Sequence, residues 1–94
     1  MITFEQARTL AEQPARQMWA EMGGRGTFTV AATGAEDARS YLVVTGSQEA
    51  FDGDRDFLIY DYPLVFVDKA TGAVTFEPVI TNLDRSSTMT AVSG

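Results

Sequence analysis

An α+β domain, with an N-terminal helix packed on a mostly antiparallel sheet of about five short strands, follows from three observations. Apolar residues recur every three or four positions from residue 3 to residue 22, and the period falls to two after Gly23-Gly24. Those two periods mark a helix and then strands. The chain has 94 residues, a length that suits one domain spanning 1–94. Hydrophobic residues make up 45% and charged residues 21%, a globular balance. A chain this short buries roughly 60–65% of its unfolded surface, so the core is small.

The helix is predicted over residues 3–22. Thr3 can cap it, and Gln6 stands where a capping box needs it. Phe4, Ala7, Ala11, Pro14, Met18 and Met22 form the apolar stripe, widened by Leu10 and Trp19, while Glu5, Arg8, Glu12, Arg16 and Glu21 fall opposite. Pro14 removes a backbone donor and crowds the carbonyl four residues earlier, so one kinked helix is expected. Gly23-Gly24 supplies the stop.

Strands are predicted at about 26–32, 40–45, 56–61, 63–68 and 73–78, where β-branched and aromatic residues alternate with polar ones. Thr33 to Asp37 is expected to turn. Asp68-Lys69-Ala70-Thr71-Gly72 pairs an aspartate that can bond its own backbone with a glycine suited to positive φ, which makes the last two strands a hairpin. From Thr81 onward hydroxyls replace apolar residues, so 81–94 reads as a loose tail with Leu83 and Met89 docked.

Composition narrows function by exclusion. Neither cysteine nor histidine is present, which removes disulfides, the usual zinc and haem ligands and the usual general base. Seven Lys+Arg against thirteen Asp+Glu give a net charge of −6, the wrong sign for holding a phosphate backbone, so no nucleic-acid partner is expected. No apolar run approaches a membrane span, and the N-terminus lacks a signal peptide's order. A cytoplasmic, non-enzymatic protein without a cofactor is the resulting expectation.

The segment from Glu49 to Asp61 stands out. It holds five acids (Glu49, Asp52, Asp54, Asp56 and Asp61) against Arg55. A calcium loop of the EF-hand type would need Gly where Phe57 stands and Glu where Pro63 stands, so that template fails. A hydrolytic carboxylate pair would need an apolar pocket to separate two pKa values, and none is evident in so polar a loop. Ser86-Ser87-Thr88 has no histidine to activate a nucleophile. Tyr60 and Tyr62 flank Asp61 and have the same parity along an extended chain, so both rings are expected on one face. Tyrosines beside carboxylates suit a protein-binding patch. The candidate partner-binding residues are therefore Phe51, Asp52, Asp54, Asp56, Tyr60, Asp61 and Tyr62, with no catalytic or metal-ligating set.

The order of elements, a helix with Ala7 and Ala11 on one face and then strands, adds a resemblance. Pro63 to Val74, with Pro63, Val67, Asp68, Lys69, Thr71, Gly72 and Val74 in place, resembles the YrhB-like, immunity-protein-35 family of small bacterial proteins. That family's Gly-Trp strand opening is absent here, and Phe57-Leu58-Ile59-Tyr60 takes its place. The resemblance implies a helix on an antiparallel sheet and an immunity protein or antitoxin that neutralises a toxin delivered by neighbouring cells. The acidic balance fits a cognate toxin that is basic around its active site. The alternatives are a small self-associating structural or regulatory module, forming a homodimer through Tyr41 to Thr45, and a weak calcium or small-ligand domain.

Overall fold

The computed structural model describes residues 1–93. Helix α1 spans Phe4–Glu21, followed by strands β1 (Phe28–Glu36) and β2 (Ser40–Ser47), the short helix α2 (Gln48–Phe51), strands β3 (Leu64–Asp68) and β4 (Val74–Glu77), helix α3 (Leu83–Thr88) and strand β5 (Thr90–Ser93). The five strands form one sheet in the order β4-β3-β2-β1-β5. Every neighbouring pair is antiparallel. The fold is α+β, as the two periods predict.

Local chemistry explains both ends of α1. The Gln6 amide donates to Thr3 Oγ1 at 3.1 Å and the Thr3 amide donates to Gln6 Oε1 at 2.9 Å, which completes the capping box. At the other end Gly23 takes φ 82°, and the Gly24 and Gly23 amides return to the Trp19 and Ala20 carbonyls. This double return satisfies carbonyls that the helix leaves open. The helix runs through Pro14 unbroken. Its core face is Phe4, Ala7, Ala11 and Ala15, so Ala15 stands where the sequence stripe placed Pro14. The stripe also overreaches at its margins, since Leu10 and Met22 are exposed.

Three alanines let α1 lie close against the sheet. Their methyls meet Tyr41 and Val43 of β2 and Val65 and Val67 of β3, with Phe28 from β1 closing the cluster. Phe4 stacks obliquely on Tyr41 at 5.6 Å between ring centres, and Trp19 on Phe28 at 5.4 Å. Lys69 is 9% exposed, and its Nζ lies 2.7 Å from Glu36 Oε1 and 4.8 Å from the Tyr41 ring centre. A cation removed from water needs such partners.

Three sequence expectations are corrected. The turn after β1 comes at Asp37 and not at Thr33, because residues 31–33 form an irregular bulge inside β1. Asp37 Oδ1 then accepts the amides of Arg39 (2.9 Å) and Ser40 (2.8 Å). The strand expected over 56–61 is absent. Asp54 Oδ1 instead accepts the Asp56 amide at 3.0 Å and opens a 3₁₀ turn over Arg55–Phe57. β3 pairs with β2 only over Ser40–Val43, and beyond it the segment meets β2 through the side-chain bond of Tyr62 to Thr45 and forms no ladder.

The third correction concerns the segment expected as a loose tail, 81–94, whose described residues form α3 and β5. Arg85 clips this segment to the sheet. Its Nε lies 3.0 Å from Asp37 Oδ2, its Nη1 lies 3.6 Å from Glu77 Oε2, and its guanidinium covers the Phe66 ring at 4.2 Å. Phe66 is thereby 2% exposed on the sheet face opposite α1. A homodimer edge over Tyr41 to Val43 is also corrected, since those residues are paired with strands on both sides.

Candidate functional site

The acidic segment lies between β2 and β3 and is tied down at several points. Thr27 donates to Glu49 twice, from its amide at 2.9 Å and from its hydroxyl at 3.2 Å. The Thr27 amide, foremost, holds the Glu49 carboxyl below its ordinary range. Gln48 Nε2 donates to Asp52 Oδ1 at 3.0 Å. Arg25 donates to the Asp56 carbonyl and lies over the Phe57 ring at 5.5 Å. Ser47 Oγ donates to the Arg25 carbonyl at 2.6 Å and accepts Trp19 Nε1 at 3.1 Å. These bonds fix a loop that carries no strand pairing, so its side chains are presented on an ordered frame.

The ends of the candidate patch divide between two surfaces. Phe51 and Tyr62 line one small cleft of about 90 Å³, with Trp19, Phe57 and Ile59 among the other walls. Pockets for drug-sized ligands run to roughly 300–1,000 Å³, so this cleft is a packing seam and not a ligand chamber. Asp61 faces a separate groove together with Pro78, Val79, Ile80 and Leu83. Asp61 itself takes φ 59°, the only non-glycine residue among those described with positive φ. That reversal breaks the extended geometry on which a shared tyrosine face depends.

The two rings accordingly part company. Tyr60 is 90% exposed. Tyr62 is half-buried and shares a hydrogen bond of 2.6 Å with Thr45 Oγ1. Burial pushes the Tyr62 hydroxyl up from its ordinary pKa, and the bond to Thr45 offsets part of the rise. The expectation of one face for both tyrosines is therefore corrected. Phe57 and Ile59 turn inward while Leu58 and Tyr60 turn out, so the alternation read as a strand survives without a partner strand.

Asp52, Asp54, Asp56 and Asp61 are all exposed. Among the described residues, none of them forms an ion pair with a cation. Nor do any three carboxylates among the described residues converge as a metal site. The loop therefore offers negative charge, two exposed apolar side chains in Phe51 and Leu58, and one protruding phenol. This chemistry suits contact with a basic protein surface.

Sequence reasoning missed the segment beyond Asp61 in space. Val79 and Ile80, at the approach to the expected tail, are exposed beside it, and so is Leu83, expected to dock and instead facing solvent. Their apolar character was visible in the sequence, but their neighbour across the β3–β4 end was not. No helix among the described residues is long and apolar enough to cross a membrane. Comparison with family models, with characterised proteins and with solved structures gives no match for this chain.

Proposed function

We propose that this chain is a non-enzymatic inhibitor of the immunity-protein type, acting in the cytoplasm by occluding the basic site of a cognate protein toxin. The observation that carries the reading is the 51–61 loop, where four carboxylates without cationic partners and the protruding Tyr60 are held on a hydrogen-bonded frame. The resemblance of the Pro63–Val74 segment to immunity proteins points the same way. Acidic side chains facing a basic target steer encounter more than they add affinity, so the association rate carries their signature. Steering weakens as salt shortens the Debye length from about 10 Å at 0.1 M to about 3 Å at 1 M.

The test is a variant with Asp52→Asn, Asp54→Asn and Asp61→Asn together. Stopped-flow association with the captured partner is expected to slow by about tenfold at low salt and to lose most of its salt dependence. The melting temperature should hardly change, because no cation among the described residues pairs with these carboxylates. Unchanged association kinetics would remove the acidic surface from the account.

A further inference from the structure

The groove beside Asp61 is built inside out. Asn82 is 9% exposed, while Ile80 is 80% and Leu83 56% exposed on either side of it. In a segment folded only for stability the reverse is the rule, and a buried polar residue beside exposed large apolar ones is the informative exception. The buried asparagine has a clear holding role. Its Nδ2 donates to the Pro78 carbonyl at 2.8 Å and to Thr81 Oγ1 at 3.1 Å, which locks the 3₁₀ turn Ile80–Asn82. Arg85, one turn on, is committed to Asp37, Glu77 and the Phe66 ring. Asn82 is thus spent on its own turn and Arg85 on the sheet, and the apolar groups of the segment are left facing solvent on a fixed platform.

The groove so formed has a volume of about 460 Å³, and Asp61 stands at its edge. Asp84, next to Leu83 in the chain, is also exposed, and the nearest cation in sequence, Arg85, is engaged elsewhere. The result is an apolar floor with the Asp61 carboxylate at its edge. We infer that this groove seats an apolar side chain flanked by Lys or Arg on a protein partner, forming the second half of the interface that begins at the 51–61 loop. The inference rests on the inhibitor reading above, and the two are joined through Asp61, which ends the 51–61 loop in the chain and faces the groove. The carboxylate selects a basic occupant and the floor an apolar one, while the locked turn lowers the ordering cost of binding.

The test uses the whole ¹⁵N-labelled chain and two short amphipathic probe peptides, one of leucine and lysine and the other of leucine and glutamate. The lysine peptide is expected to shift the amides of Val79 to Asp84 and of Asp61, with the glutamate peptide binding about tenfold more weakly or worse. Ile80→Ser should weaken the lysine peptide by about tenfold. Asp61→Asn, which keeps a side chain that tolerates positive φ, should narrow the gap between the two peptides. Equal binding of both peptides would overturn the inference, and so would shifts that move on dilution without peptide, which would place a second copy in the groove. Lysine-peptide shifts confined to residues 51–56 would overturn the groove while leaving the inhibitor reading standing. No shifts from either peptide at the loop or the groove would count against both.

Discussion

Gly72 closes the β3–β4 hairpin with φ 76°, and a Cβ there would lie 3.1 Å from Leu10 Cδ1. A β-branched residue resists that backbone region and would also press on α1. Gly72→Val is therefore expected to cost about 1–3 kcal/mol, read as a melting temperature lower by several degrees. Asp37 tests a longer link. Burial pushes its carboxyl up, but the Arg85 guanidinium and the Arg39 and Ser40 amides outweigh burial and hold it below the ordinary 3.8. A depressed carboxylate stabilises the fold above its unfolded pKa, and that contribution is lost as the pH falls through the lower folded value. Asp37→Asn should thus be less stable at neutral pH and should lose less stability than the parent on acidification below about pH 4 in urea melts. Of these two residues only Gly72 had a structural role legible in the sequence. The Asp68 carboxylate that shapes its turn is bound by the amides of Thr71 and Ala70, three and two residues away, whereas Asp37 and Arg85 meet across 48 residues.

Periodicity identified helix α1 and the first four strands of the sheet, because each shows its own repeat and is bounded by turn chemistry. It failed where burial and pairing are decided elsewhere. Residues 57–60 alternate in burial as a strand would, yet the 3₁₀ turn opened by Asp54 over Arg55–Phe57 leads into a segment that pairs with no strand, so alternation there reports burial and not a ladder. Conversely, Thr90–Ser93 is too short and too weakly apolar to announce itself. It becomes β5 because β1 extends through its bulge to Glu36 and offers Thr33 to Glu36 as a template. Val92 then packs against the core cluster beside α1. Deleting residues 90–94 should therefore cost about 1–3 kcal/mol in denaturant unfolding, from lost apolar burial and an opened β1 edge. A true loose tail would be removable with no change in midpoint.

At the scale of the whole molecule, the cations and the acids divide by role. Lys69 and Arg85 are bound into the fold, to Glu36 and to Asp37 and Glu77 respectively, while the acids of the 52–61 loop have no ionic partner among the described residues. The net charge of −6 thus has an exposed contribution on an ordered loop, next to a groove whose apolar side chains are turned outward. The candidate residues Asp52, Asp54 and Asp56 were legible as exposed loop chemistry, and Tyr60 as an exposed ring, though on a strand that does not form. The division of Tyr62 and Asp61 between two surfaces was not, since it depends on the positive φ of Asp61 and on the hydroxyl of Thr45, 17 residues away. The decisive measurement is affinity capture from cells of the source at low salt, with the parent chain and the Asp52→Asn, Asp54→Asn, Asp61→Asn variant side by side. The expected result is one stoichiometric basic protein on the parent, released by high salt and largely missing from the variant. Equal capture by both chains, or recovery of the chain alone, would contradict an inhibitor that works through its acidic surface.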